Sequence, residues 1–302
     1  MSAKFLVLFL FSLQVIQAKE IALTFDDSPR FAKGHFDGPT RAKKLIEALK
    51  KANVEQVAFF TNSSFMDEEG TQRIKSYTDA GHLIANHTHT HPDFNKTSLQ
   101  DYKNDFDLAH QRLKDLPNFV KWFRFPYLRE GNDLEKRNGM RQHLKQNGYI
   151  NAYITADFSD WHLEYLYQQA LKEKKKVDMD GLRKLYVQNA LNAANFYDEL
   201  AQKYLKRSPK HIMLLHETDL AALFIGDLVQ AFRSNGWTII TPTQGYTDDL
   251  LHFEMKEAMP YNPGRVSELA FERGHNRSEL WAPQTNTKQI TRDFNELVSQ
   301  EL

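Results

Sequence analysis

Three histidines stand at alternate positions in the stretch IANHTHTHPDF: His87, His89 and His91. Imidazole is the commonest protein ligand for divalent transition metals, so metal binding is the first chemistry the pattern raises. On an extended segment the outer two would stand about 13 Å apart, too far to share an ion. If the chain turns helically after a strand, His87 and His91 fall at i and i+4 on one face and His89 points elsewhere. A further donor is available in LTFDDSPR, where Asp26 and Asp27 follow an apolar run that Pro29 stops. Adjacent carboxylates at a strand end point in different directions, so one can hold a cation while the other accepts a proton. Two imidazoles and one carboxylate leave a coordination position for water, as in catalytic rather than structural zinc sites.

Three more segments carry groups that such a site needs. RFPY supplies Arg124, a fixed cation able to keep a carboxylate ionised. DFSDW places Asp157 and Asp160 beside Trp161, whose ring could wall an apolar pocket. IMLLHET ends an apolar run at His216, the residue type suited to proton transfer near neutral pH. Each feature also has a plain structural explanation: a chance histidine pair, capping aspartates, a salt-bridged arginine, a core tryptophan. Their joint occurrence just past five separate strands points to one site.

The elements that must position these groups alternate regularly. Strands are expected at 20–25, 55–60, 82–86, 121–125, 149–154, 211–215 and 237–241. Helical patterns occupy 38–52, 68–80, 99–115 and 132–147, then 162–206 with an interruption at KEKKKVDMDG, then 219–234. Gly81 and Gly148 close two of the helices, and Thr97 or Ser98 can cap a third. Such alternation implies parallel strands, in an open doubly wound sheet or a (β/α) barrel. The barrel is preferred, because it gathers the C-terminal ends of all its strands around one mouth, whereas an open sheet concentrates its site at one switch point. The expected fold is therefore α/β, a distorted barrel of seven to eight units over residues 19–245. Residues 246–302, with YNPGR and one last helix near 288–300, read as an extension packed on the same domain.

The chain has 302 residues, with Lys+Arg and Asp+Glu both at 39, so no basic excess points to nucleic acid. Residues 1–18, MSAKFLVLFLFSLQVIQA, read as an export signal ending at Ala18, too short and interrupted to span a bilayer. The expectation is an exported envelope protein, periplasmic or secreted, with no membrane anchor in the mature chain. Cysteine is absent, which excludes thiolate ligands, thiol nucleophiles, disulfides and a lipoprotein anchor.

Taken in order, TFDD (24–27), HTHTH (87–91), RFPY (124–127), DFSDW (157–161) and LLH (214–216) resemble the five motifs of the polysaccharide deacetylases. These are the NodB-homology proteins of carbohydrate esterase family four, and the resemblance covers roughly residues 20–245. It implies a distorted (β/α) barrel and a divalent metal, usually zinc, with cobalt or manganese as alternatives. By resemblance Asp27, His87 and His91 are the ligands, Asp26 is the base with Arg124 as its charge partner, and His216 is the acid tuned by Asp160. Thr88 matches a position that braces the metal loop. Trp161 and Leu214 match positions that shape a pocket for the acetyl methyl, and the backbone N–H of Tyr127 matches the oxyanion donor. Ser28 and Leu128 stand where glycine is common, and His89 where an aromatic residue is common. The implied reaction is hydrolytic N-deacetylation of an envelope or extracellular N-acetylated glycan. Peptidoglycan amino sugars come first as substrate and chitin-type oligomers next. The alternatives from other classes are a glycan-binding relative without turnover and a periplasmic metal-binding protein.

Overall fold

Residues 18–32 and 34–300 are described by the structure, a computed structural model. The export-signal reading falls on residues 1–18, of which 1–17 lie outside the described residues.

Strand β1 (Lys19–Ser28) is buried along nearly its whole length, as a strand covered on both faces must be. Its side chains alternate between two apolar clusters. Ile21, Leu23 and Phe25 join the cluster that contains Leu45, Leu49, Ile225 and Val229 of the outer helices. Ala22 joins the inner cluster with Ala58, Phe60, Ala85, Ala152 and Ile212. Small residues suit the interior of a narrow barrel. By the same period of two, Thr24 and Asp26 follow Ala22 onto the inward face.

The other strands are β2 (Ala58–Thr61), β3 (Leu83–Asn86), β4 (Phe119–Phe123), β5 (Ile150–Asn151), β6 (Lys176–Val177), β7 (Lys210–His216), β8 (Trp237–Ile240) and β9 (Ser299–Gln300). Helices α1 (Gly38–Lys51), α2 (Glu68–Asp79), α3 (Leu99–Leu113), α4 (Leu134–Gln146), α5 (Asp160–Lys172), α6 (Met179–Leu205) and α7 (Asp219–Ser234) fill the crossovers. Asp37, Asp67, Ser98, Asp133, Asp178 and Thr218 each cap a helix through the side chain, which explains why these boundaries are sharp. The main sheet runs β5-β4-β3-β2-β1-β7, all parallel, and β8 pairs with Lys19–Ala22 of β1. Beyond β5, Ala156 bridges Met213 of β7 in parallel, so the sheet returns on itself as a distorted barrel.

Several boundaries move. Strand β4 ends at Phe123, so RFPY begins outside it, and β5 keeps only two paired residues of YINAYI. The interruption at KEKKKVDMDG contains β6, which pairs antiparallel with β9. Two short helices were not foreseen, α8 (Pro242–Gly245), which ends at the expected boundary at 245, and α9 (Arg265–Glu272), which lies beyond it and before α10 (Thr287–Leu297). No helix among the described residues is long and apolar enough to cross a membrane.

Candidate active site

Strand register brings the reacting groups together. Asp26 is the Cα partner of His216 across β1 and β7, and Asn86 is the partner of Phe123 across β3 and β4. His87 and Arg124 are therefore neighbours one step beyond their strands. His87 Nδ1 lies 2.8 Å from the Arg124 carbonyl oxygen. That hydrogen bond places the proton on Nδ1 and leaves the Nε2 lone pair facing the cleft.

Asp27 Oδ1 lies 3.2 Å from His91 Nε2 and 3.7 Å from His87 Nε2. One donor atom from each of these three residues falls within 4.8 Å of the others. Ligands of a tetrahedral zinc stand about 2.0–2.1 Å from the ion and hence about 3.4 Å from one another. The donor set therefore fits a zinc-sized cation, and three protein donors leave one of four positions open. The electrostatics agree. Burial pushes the His87 imidazole down to about 4, so it is neutral and able to ligate at neutral pH. For Asp27 burial opposes ionisation, but the His91 hydrogen bond and the charges of His216, His91 and His87 hold it below the usual carboxylate range.

The juxtaposition of His87 and His91 does not come from a helical turn. Residues 87–91 form an irregular loop in which Thr88 (φ 70°) and His91 (φ 59°) take left-handed conformations. The loop is fixed from within: Thr88 N–H donates to Asn86 Oδ1 (2.7 Å), His91 N–H donates to Thr88 Oγ (3.1 Å), and Asn62 Nδ2 donates to the His87 carbonyl (2.6 Å). His89 faces away, with Nδ1 2.8 Å from Ser63 Oγ.

Asp26 is 3% exposed, and Arg124 Nη1 donates to its Oδ1 at 2.7 Å. The guanidinium makes three further bonds: Nη1 also donates to Thr24 Oγ (2.8 Å), Nε to the Ala152 carbonyl (3.0 Å) and Nη2 to the Tyr246 hydroxyl (3.0 Å). Its planar face lies 3.9 Å from the centroid of the Phe60 ring, a cation–π contact in the barrel interior. Asp26 Oδ2 is 3.7 Å from His87 Nε2, beside the metal-ligating cluster.

His216 is held twice by Asp160, whose Oδ1 lies 2.6 Å from Nδ1 and whose Oδ2 accepts the His216 backbone N–H at 2.7 Å. Burial works against a charged imidazole, but the Asp160 carboxylate outweighs it and raises His216 to about 9. Asp157, in the same loop, is pushed up to about 6 by burial, against the Ser159 N–H that it accepts.

A cleft of about 700 Å³ opens over these groups. Asp26, Asp27, His87, His91, Tyr127, Trp161, Leu214 and His216 line it, while Arg124 and Asp160 act from behind. Leu214 is buried, and Trp161 and Tyr127 are exposed. Tyr127 is the second residue of a three-residue 3-10 turn, where a backbone N–H has no acceptor within the turn. Among the described residues ten non-glycine positions have positive φ, and six of them belong to this site: Asp27, Thr88, His91, Tyr127, Leu128 and Ser159. Leu128 (φ 54°) explains why glycine suits that position. Backbone strain concentrated in this way is characteristic of functional loops.

Sequence reasoning missed Thr24 and Tyr246, which seat Arg124. Thr24 carried a signal, being two residues before Asp26 on the same strand face; Tyr246 carried none. It also missed Tyr261, Asn262, Trp281 and Thr285, which line the cleft from beyond residue 245.

The family model for polysaccharide deacetylases matches residues 15–150. A peptidoglycan-N-acetylglucosamine deacetylase of Bacillus cereus is 30% identical over 143 residues, which is 47% of this chain and 46% of the relative. The peptidoglycan-N-acetylmuramic acid deacetylase PdaA of Bacillus subtilis is 26% identical over 161 residues, 51% of this chain and 56% of the relative. The chain thus spans about half the length of these curated relatives. A solved peptidoglycan N-acetylglucosamine deacetylase shares the fold with a TM-score of 0.52 at 23% identity, over 76% of this chain and 88% of that one.

Proposed function

We propose that this chain is a metal-dependent hydrolase of the polysaccharide deacetylase family, removing acetyl groups from amino sugars of an N-acetylated envelope glycan, peptidoglycan foremost. The observation that carries the reading is the meeting of two charge pairs, Asp26–Arg124 and Asp160–His216, at the Asp27–His87–His91 cluster. A metal store needs neither pair, and a binding protein gains nothing from a raised histidine beside a buried carboxylate.

Asp27, His87 and His91 would hold the cation, zinc by donor type, which supplies Lewis acidity toward the amide carbonyl and acidifies water. Asp26, kept in place by Arg124, accepts the proton of the attacking water. The Tyr127 N–H opposes charge as it gathers on the carbonyl oxygen. Leu214 and Trp161 supply apolar surface for the acetyl methyl. An amine is too basic to leave as an anion, so His216, charged through Asp160, gives its Nε2 proton to the departing sugar nitrogen. Acetate and a free amino sugar result, and the Asp26 proton returns to solvent. Residues 1–18 support export to the compartment where such a glycan lies.

The test is acetate release from peptidoglycan fragments, followed by their mass, for the wild type, Asp26→Asn and His216→Ala. The wild type should remove acetyl groups; both variants should keep the metal and lose most turnover. Release from chitin oligomers alone would move the substrate. Inactivity on every acetylated glycan, with the metal bound, would overturn the reading.

A further inference from the structure

Six aromatic side chains are exposed among the described residues: Phe31, Tyr127, Trp161, Tyr165, Tyr261 and Trp281. All but Tyr165 line the one cleft. Two of the five, Tyr261 (54% exposed) and Trp281 (37% exposed), come from the segment beyond residue 245, which no motif above covers. Scattered exposed aromatics need no explanation, but a set gathered at one concave site marks a binding surface.

The segment is fastened to the catalytic loops at both ends. Near Tyr261, Asn95 Nδ2 donates to the Pro260 carbonyl (2.8 Å), Asn262 N–H to the Leu128 carbonyl (3.3 Å), and Arg265 N–H to the Ile154 carbonyl (2.8 Å). Gly264 (φ 92°) permits this approach, since a Cβ there would stand 3.3 Å from the Ile154 oxygen. Near Trp281, Ser159 Oγ donates to the Thr285 carbonyl at 3.3 Å and Ala282 N–H to the Tyr197 hydroxyl at 3.3 Å. The Arg129 guanidinium lies 4.6 Å from the Tyr261 ring centroid and 5.3 Å from that of Tyr127, and it pairs with Asp93. Tyr261 is thus held in place while its ring remains open to the cleft. Phe31, packed on Phe65 at 4.6 Å between ring centroids, comes from the loops after β1 and β2. In strand order these loops stand apart from those after β4 and β5, so the cleft has aromatic surface on two separated parts of its rim.

A pyranose ring presents flat C–H faces and a hydroxylated edge, so it suits an aromatic face flanked by polar groups such as Asn262 and Thr285. We propose that Tyr261 and Trp281 are stacking platforms for the sugars adjacent to the unit placed at the Asp27–His87–His91 cluster. The preferred ligand is then an oligomer or polymer rather than a single amino sugar. The inference rests on the deacetylase reading for which unit sits at the centre.

The test uses the full metal-loaded chain and β-1,4-linked N-acetylglucosamine, as monomer and tetramer. Binding is read by calorimetry in an Asp26→Asn background, and acetate release in the otherwise unaltered protein. Tyr261→Ala and Trp281→Ala should each bind tetramer about tenfold more weakly, which is about 1.4 kcal/mol. Hydrolysis of a small aryl acetate should be unchanged, and Tyr261→Phe should bind like the parent. Should an alanine variant not fold, the leucine variant at the same position replaces it. Equal binding of tetramer by parent and variants would overturn the proposal, as would parallel loss of aryl acetate hydrolysis or no preference for tetramer over monomer. Tight tetramer binding without acetate release from any glycan would instead sink the deacetylase reading and leave the platforms standing.

Discussion

Replacing Asp160 by asparagine keeps the shape of the pair and removes its charge. Asp160 accepts from both Nδ1 and the backbone N–H of His216, and its carboxylate is what raises the imidazole to about 9 against its burial. Without that charge the imidazole falls to ~6.5 or lower, because burial alone disfavours the cation. If His216 must be protonated to expel the amine, the competent fraction at pH 8 drops from ~0.9 to ~0.03, a loss of about thirtyfold, whereas at pH 6 it barely changes. An asparagine can satisfy only one of the two donors, so a further loss independent of pH is expected. The diagnostic quantity is therefore the ratio of activity at pH 8 to that at pH 6, measured as acetate release with the metal saturating. It should fall by an order of magnitude or more in Asp160→Asn. Folding gives a second readout. A raised histidine contributes stability that is fully present below its ordinary 6.5 and lost as pH rises through about 9. Asp160→Asn should thus destabilise the metal-free protein by up to about 3 kcal/mol at pH 6, by progressively less as pH rises from about 6.5 to about 9, and hardly at all above that. A variant whose pH 8 to pH 6 ratio matches the wild type would refute the assignment of His216 as the proton donor.

Arg124→Met leaves the Asp26 carboxylate buried and unpaired. Denaturant titration should show a loss of about 3–5 kcal/mol, and turnover should fall by about a hundredfold or more. His91→Ala removes one of three donors. Metal binding followed by calorimetry, with no activity assay involved, should weaken by orders of magnitude, whereas His89→Ala, whose ring faces Ser63, should bind the cation like the wild type. Tyr246→Phe removes the hydroxyl between Arg124 Nη2 and the Tyr153 carbonyl, leaving both without that partner. The expected cost is about 1–2 kcal/mol of stability and a several-fold lower kcat with KM held.

The parts of this molecule that were legible in the sequence are those governed by local rules. A continuous apolar strand must be buried on both faces, and Asp26 inherits its inward direction from Ala22 and Thr24, four and two residues earlier. One helix start was read from its cap, Ser98. The joint placement of Asp26, Asp27, His87, His91, Arg124 and His216 followed once the strands were taken as parallel, because all six lie at the C-terminal strand ends. The conformation of 87–91 was not legible. An i,i+4 spacing suggests a helical turn, yet the chain reaches the same juxtaposition through left-handed Thr88 and His91, held by Asn86 at the end of β3 and by Asn62 just past β2. Neither residue type announces a positive φ, and one of the groups that fix the loop, Asn62, stands 25 residues away from the His87 carbonyl it holds. Tyr246 and the wall beyond residue 245 escaped for the same reason: their meaning lies in what they touch.

That contrast bears on how the site is kept in shape. The six left-handed residues at the mouth each carry a conformational cost of order 1–3 kcal/mol, which the barrel must offset. It does so with buried polar contacts directly beneath the mouth. Arg124 donates to Asp26, Thr24, Ala152 and Tyr246, reaching three segments at once: β1, the chain after β5 and the chain after α8. Glu217, next to His216, accepts from the Arg30 N–H (2.6 Å), Tyr77 (2.9 Å) and both Arg41 and Arg73 (3.3 Å each), pinning the loop after β1 to α1 and α2. Loop strain and buried ion pairs are thus two halves of one arrangement. The strained loops aim Asp27, His91 and Tyr127 into the cleft, and the buried arginines keep those loops from relaxing.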